Sequence, residues 1–128
     1  MSNYKNLIIW QKSDELAFQV YKLTDKFPKH ELFGITSQLR RAVLSIPTNI
    51  VEGYNRKSKK ELHRFIDIAL GSLAETEYLI DFSKKLGYIN SNIADIEINI
   101  TEIGKLLWSF QKALSKRAEG HRSEDLKL

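Results

Sequence analysis

Apolar residues recur in steps of three and four along four stretches of this chain, and nothing alternates with period two for long enough to build a strand. The last stretch is the cleanest. Ile93, Ile96, Ile100, Ile103, Leu107, Phe110 and Leu114 keep an unbroken rhythm, that of a helix lying along a bundle seam with crossing angles of about 20°. Before it, Leu62, Ile66, Ala69, Leu73, Thr76, Ile80 and Ser83 form a stripe that opens on a capping box, Ser58-Lys59-Lys60-Glu61, and runs to Leu86. At about 1.5 Å per residue that helix is about 40 Å long. Gly87 suits the left-handed position that closes it, with Ile89 folding back as the cap's apolar contact, and Asn92 or Ser91 caps the next helix. The first helix runs from about Leu7 to Lys26, with Leu16, Val20, Leu23 and Phe27 on one line, Trp10, Ala17 and Tyr21 beside it, and Pro28 as its stop. The second takes Thr36 as N-cap and extends to about Tyr54, Gly53 beginning its termination. Connections of a few residues between long amphipathic helices make neighbours antiparallel, so the expected fold is all-α, an up-down-up-down four-helix bundle over residues 1–117. Residues 118–128 are polar and aperiodic and are expected to form a disordered tail.

The second helix breaks helix rules twice. Pro47 sits in mid-pattern, where its ring removes one donor and crowds the carbonyl of Val43 at a cost of roughly 3 kcal/mol unless packing compensates. Asn49 continues the stripe Ile35, Leu39, Ala42, Ile46 and so puts an amide at a core position. Local conflicts of this kind mark assembly or functional sites. Asn49 reads as a register-setting buried amide, and Glu52 as a partner for Arg41 or for a neighbouring subunit's arginine. The plainer reading is that a kink at Pro47 turns both side chains toward solvent or toward the freed Val43 carbonyl. Gly71-Ser72 is expected to permit a close helix approach opposite the kink.

At 128 residues the chain is one domain, large enough to bury a core without staples. It has no cysteine, which excludes disulfides, thiolate zinc sites and cysteine nucleophiles and fits a reducing cytoplasm. No apolar run reaches the roughly 18 residues of a membrane span, and the start lacks the apolar segment of a signal peptide. The expected location is cytoplasmic, away from membranes. A bundle di-metal site needs Glu-x-x-His motifs, and none is present; His30, His63 and His121 read as surface or locally satisfied residues. Ser45, Ser72 and Ser83 have no histidine at helical spacing, so neither catalysis nor a metal or other cofactor is expected. Asn99-Ile100-Thr101 is a chance match to a glycosylation acceptor.

A net charge of +4 is too mild to announce a polyanion ligand, but its distribution is uneven. Arg56, Lys57, Lys59, Lys60 and Arg64 fall within nine residues that hold one acid, Glu61, and Tyr54 precedes them. Such a turn offers cations to phosphates and a ring to an unpaired base; its alternative reading is an ordinary solvated face. Trp10, Phe18, Tyr78, Phe82 and Trp108 exceed what one seam needs, which predicts self-association through exposed apolar surface.

Phe27-Pro28, Glu31, Gly34, Ser37-Gln38-Leu39-Arg40-Arg41-Ala42, Ser45-Ile46-Pro47, Asn49-Ile50, Glu52-Gly53 and Ala69-Leu70-Gly71-Ser72-Leu73-Ala74-Glu75 together resemble the four-helix bundle family encoded by intervening sequences in bacterial 23S ribosomal RNA genes. Trp10-Gln11-Lys12 and Leu86-Gly87-Tyr88-Ile89 extend the likeness over roughly residues 7 to 114. Val51 departs from a small alanine, and Tyr54-Asn55 from a frequent glycine. The resemblance implies a ring-like homopentamer with no established enzymatic activity and a suspected role in binding RNA, ribosomal RNA first. A more distant likeness in fold to the accessory proteins of diversity-generating retroelements suggests the alternative of a scaffold that recruits another protein.

Overall fold

A computed structural model describes residues 3–119. Within them the chain forms four helices, α1 (Ile8–Thr24), α2 (Ile35–Tyr54), α3 (Lys59–Lys85) and α4 (Ala94–Glu119), with short 3-10 turns at Tyr4–Asn6 and Lys29–Glu31 and no strand. The expected tail from 118 onward lies outside the described residues except for its first two, which α4 takes in. Helices adjacent in sequence pack together and α4 returns to α1, so among the described residues the four close a square whose diagonal pairs do not approach backbone to backbone. Residue pairs across the seams fix the directions. Lys12 meets Glu102 while Gln19 meets Asn99, and His63 meets Ser115 while Lys84 meets Glu97, so α4 runs antiparallel to both neighbours. Ser45 meets Ser72 while Gly53 meets Phe65, which does the same for α2 and α3.

The stripes read from the sequence line the core. Leu16, Val20, Leu39, Val43, Ile46, Ile66, Ala69, Ile103 and Leu107 are wholly buried, and Thr76 and Ser83 of the α3 stripe are buried with them. Both polar members donate back within their own helix, Thr76 Oγ1 to the Ser72 carbonyl and Ser83 Oγ to that of Leu79, each at 2.8 Å, so burial leaves no hydroxyl proton unpaired. Helix α2 passes through Pro47 without a break, and Pro47 is itself buried. Packing on both sides compensates for the donor it lacks.

Several expected details are corrected. Thr36 does not cap α2: it lies inside the helix, 3% exposed, and its hydroxyl oxygen has no partner. The N-cap is Gly34, and the Glu31 carboxylate supplies the acceptor, taking the Ile35 amide at 3.3 Å. A Cβ on Gly34 would stand 2.4 Å from that carboxylate oxygen, so any other residue here would have to push the Glu31 carboxylate aside. Asn49 is half-buried rather than set in the core, and its amide donates to the Ser45 carbonyl at 2.7 Å and Ser45 Oγ at 2.9 Å, not to the Val43 carbonyl. Glu52 pairs with Arg56 at 3.4 Å, leaving Arg41 without it. Gly71 permits no close approach, because it is exposed and a Cβ there would meet nothing within 4 Å; the glycine at a helix contact is Gly53. Other expectations match. Gly87 has φ of +82° and closes α3, the Tyr88 amide reaching the Ser83 carbonyl and the Gly87 amide that of Lys84. Asn92 Oδ1 accepts the Ala94 amide at the head of α4.

Candidate nucleic-acid interface

The turn from α2 into α3 is short because Gly53 lets the helices meet. A Cβ there would lie 2.8 Å from Phe65 Cβ and 3.0 Å from Leu62 Cδ1, closer than side chains pack. The Arg56 amide then closes on the Gly53 carbonyl, and Ser58 Oγ accepts the Glu61 amide at 3.0 Å to start α3. Half of the expected capping box is thus formed, and the Glu61 carboxylate is not used in return.

Around this turn the five cations divide. Arg56 is held by Glu52 and lies 5.0 Å from the centre of the Phe65 ring, while Arg64 lies 5.5 Å from the same ring. One aromatic ring thus lies within cation–π range of both guanidiniums. Lys57, Lys59 and Lys60 are exposed and make no ion pair or hydrogen bond among the described residues. Tyr54, 39% exposed, ends α2 beside them. Lys59 and Lys60 occupy the first turn of α3, where the helix dipole is positive and a cation is disfavoured by about 0.3 to 1 kcal/mol. The turn therefore concentrates positive potential from both side chains and backbone, a field suited to phosphate.

Three polar clusters that the sequence did not disclose act structurally. Arg40 Nε donates to Thr24 Oγ1 at 2.8 Å, and Nη2 to the Tyr21 carbonyl at 3.1 Å and Asp25 Oδ1 at 3.0 Å, so this arginine closes the C-terminus of α1 while stacking on Tyr21. Tyr88 donates to Glu31 at 2.7 Å, tying the α3–α4 link to the head of α2. That bond, then the Ile35 amide, holds the Glu31 carboxyl below its ordinary range, and the same bond raises the Tyr88 phenol. His63 is hydrogen-bonded through Nε2 to Ser115 Oγ at 2.8 Å, with Asp67 3.7 Å from Nδ1. Gln111 donates to Asp67 and to the His63 carbonyl. Serine, histidine and aspartate stand here in the order of a hydrolytic triad, but Ser115 is only 7% exposed and lies in the α3–α4 seam, where the set joins two helices. Asn99 is likewise buried in a seam, donating to the Lys12 carbonyl at 3.2 Å, which accounts for the chance glycosylation match. None of these partners sits at helical spacing on its own helix except Asp67, so periodicity had no means of finding them.

No group of histidine, aspartate and glutamate among the described residues could hold a metal ion, and no described helix is long and apolar enough to cross a membrane. Among curated proteins none matches the chain significantly. A protein of unknown function from the S23 ribosomal protein family of Bacteroides thetaiotaomicron VPI-5482, known from its crystal structure, superposes with a TM-score of 0.75 at 30% identity, over 82% of this chain and 96% of that one. The model of the 23S rRNA-intervening sequence protein family matches residues 5–109, from the first turn of the chain into α4, and the chain belongs to that family.

Proposed function

We propose that this chain is a non-catalytic, self-assembling bundle that binds RNA through the α2–α3 turn, in the cytoplasm, as a homopentamer of the kind its family resemblance implies. One observation carries the reading: Lys57, Lys59 and Lys60 are unpaired, and two of them stand against the positive end of a helix dipole. A merely solvated surface has no need of that arrangement, whereas a bound phosphate relieves it. Repetition of the turn around an assembly converts weak single contacts into a multivalent one. The family's description names 23S rRNA, which makes a fragment of that RNA the first probe.

Charge reversal tests it. In the K57E/K59E/K60E variant, retention of 23S rRNA fragments and of single-stranded RNA at low salt is expected to be lost while helicity and assembly persist. Removing the clash with the dipole is also expected to raise stability by about 0.3 to 1 kcal/mol for each of Lys59 and Lys60. A variant that binds both RNAs as tightly as the parent across a salt series overturns the reading. A second function is favoured by the exposed Tyr78 and Phe82, stacked with ring centres 6.2 Å apart on the outer face of α3. Such a pair suits a protein partner, and binding that tolerates salt would make the chain a scaffold instead.

A further inference from the structure

Arg40 and Arg41 are neighbours with opposite roles. Arg40 is engaged by α1, whereas Arg41 is exposed and makes no hydrogen bond or ion pair among the described residues. Arg41 lines a cleft of about 550 Å³ between α2 and α3 together with Glu75, Ser37 and Ser72. Glu75 is also exposed and makes no hydrogen bond or ion pair among the described residues, so two opposite charges line one cleft without joining into an ion pair. Phe33, which contributes to the same lining, is 94% exposed, the most exposed large apolar side chain described. Arginine beside exposed aromatics is the composition of an interface centre, and the acid in the cleft disfavours a polyanion there.

A complementary surface exists on the same chain. Leu16, Val20 and Thr24 turn one side of α1 into the core, so the opposite side carries Glu15, Phe18 and Lys22 outward at positions i, i+3 and i+7. Phe18 is 64% exposed and Lys22 Nζ lies 4.9 Å from its ring centre. Glu15 has no partner among the described residues. The stripe thus carries an acid, an aromatic and a base, the same three kinds of group that Arg41, Phe33 and Glu75 bring to the cleft.

We propose that the outer stripe of α1 from a second copy seats in the α2–α3 cleft, with Phe18 against Phe33, Glu15 toward Arg41 and Lys22 toward Glu75. The two surfaces are different patches, so the contact is head-to-tail and each copy engages two neighbours, an arrangement that forms a ring where the rotation between neighbours closes. The inference rests on the self-assembly part of the reading above and names the surfaces that perform it.

Charge reversal and restoration test it, with mass followed by sedimentation across a concentration series and folding by circular dichroism. R41E and E15R alone are each expected to weaken self-association by about 100-fold, because like charges then face each other across the contact. The double variant R41E/E15R is expected to recover to within about tenfold of the parent. Where either single variant fails to fold, K22E and E75K, alone and combined, provide the same cycle. Single variants that assemble as tightly as the parent, or a double variant no better than the singles, overturn the proposed contact while leaving assembly through another surface in place. A parent that stays monomeric at every concentration overturns both the contact and the self-assembly reading.

Discussion

Two adjacent arginines give the clearest lesson at the scale of single residues. Arg40 is 22% exposed at its side chain and satisfies the Tyr21 carbonyl, the Thr24 hydroxyl and the Asp25 carboxylate. Hydrogen bonds from a charged donor contribute about 1.5 to 3 kcal/mol, and a cation at a helix C-terminus adds to that. Replacing Arg40 with alanine is expected to lower stability by roughly 1 to 3 kcal/mol in urea unfolding, whereas Arg41→Ala is expected to stay within about 0.5 kcal/mol of the parent. Equal losses at dilutions where parent and variant are both monomeric would mean that Arg41 has an intramolecular role. In the sequence the pair was undivided, and the site reading attached to Arg41 a partner, Glu52, that the fold gives to Arg56. A stripe tells which side of a helix a residue occupies; it does not tell which long side chain finds an acceptor on another helix. The same limit applied to Asn49, to which the stripe assigned a core position that it only half occupies, and whose local bonds to Ser45 were not legible.

Among whole elements, periodicity sufficed for the bodies of the helices and failed at some of their junctions. All four helices and most of the buried apolar positions of α3 and α4 follow from three-and-four spacing, because the core selects one side of each helix. Ser58 and Gly87 were legible as caps since their partners lie within five residues. The head of α2 was not, since its acceptor Glu31 is itself steadied by Tyr88, 57 residues away. Glycines show the difference most sharply. Gly53 is buried against Leu62 and Phe65 within α2, and Gly71 is exposed on α3 with open space around it. A methyl group at Gly53 must displace Phe65 Cβ, which cannot move without its helix, so Gly53→Ala is expected to cost about 1 to 3 kcal/mol. At Gly71 the same change only removes backbone freedom from the unfolded chain and is expected to stabilise by about 0.5 to 1 kcal/mol. Thermal unfolding of the two variants would move in opposite directions; a destabilised Gly71→Ala protein would restore the close approach first expected there.

At the scale of the whole molecule, the exposed charges are distributed in a way that neither a helix nor a residue defines alone. Lysines concentrate where α2 turns into α3, and the unpaired charges of opposite sign stand on the α2–α3 cleft and the outer stripe of α1. This separation makes the proposed assembly compatible with the proposed RNA binding, since RNA held at the turns would leave Arg41, Glu75 and Phe18 free for neighbouring copies. It also yields a test that joins them. For single-stranded RNA, the logarithm of affinity falls with the logarithm of salt concentration with a slope of about −0.7 per phosphate neutralised. An assembly in which one strand crosses several turns therefore has a steeper slope than a monomer, in proportion to the turns engaged. Phe18→Ala breaks the proposed contact without altering charge, so the variant is expected to bind RNA more weakly and with a shallower slope than the parent, measured by filter retention from low to physiological salt. An unchanged slope in a variant shown to be monomeric would mean that each turn acts alone, and assembly would then serve some purpose other than RNA affinity.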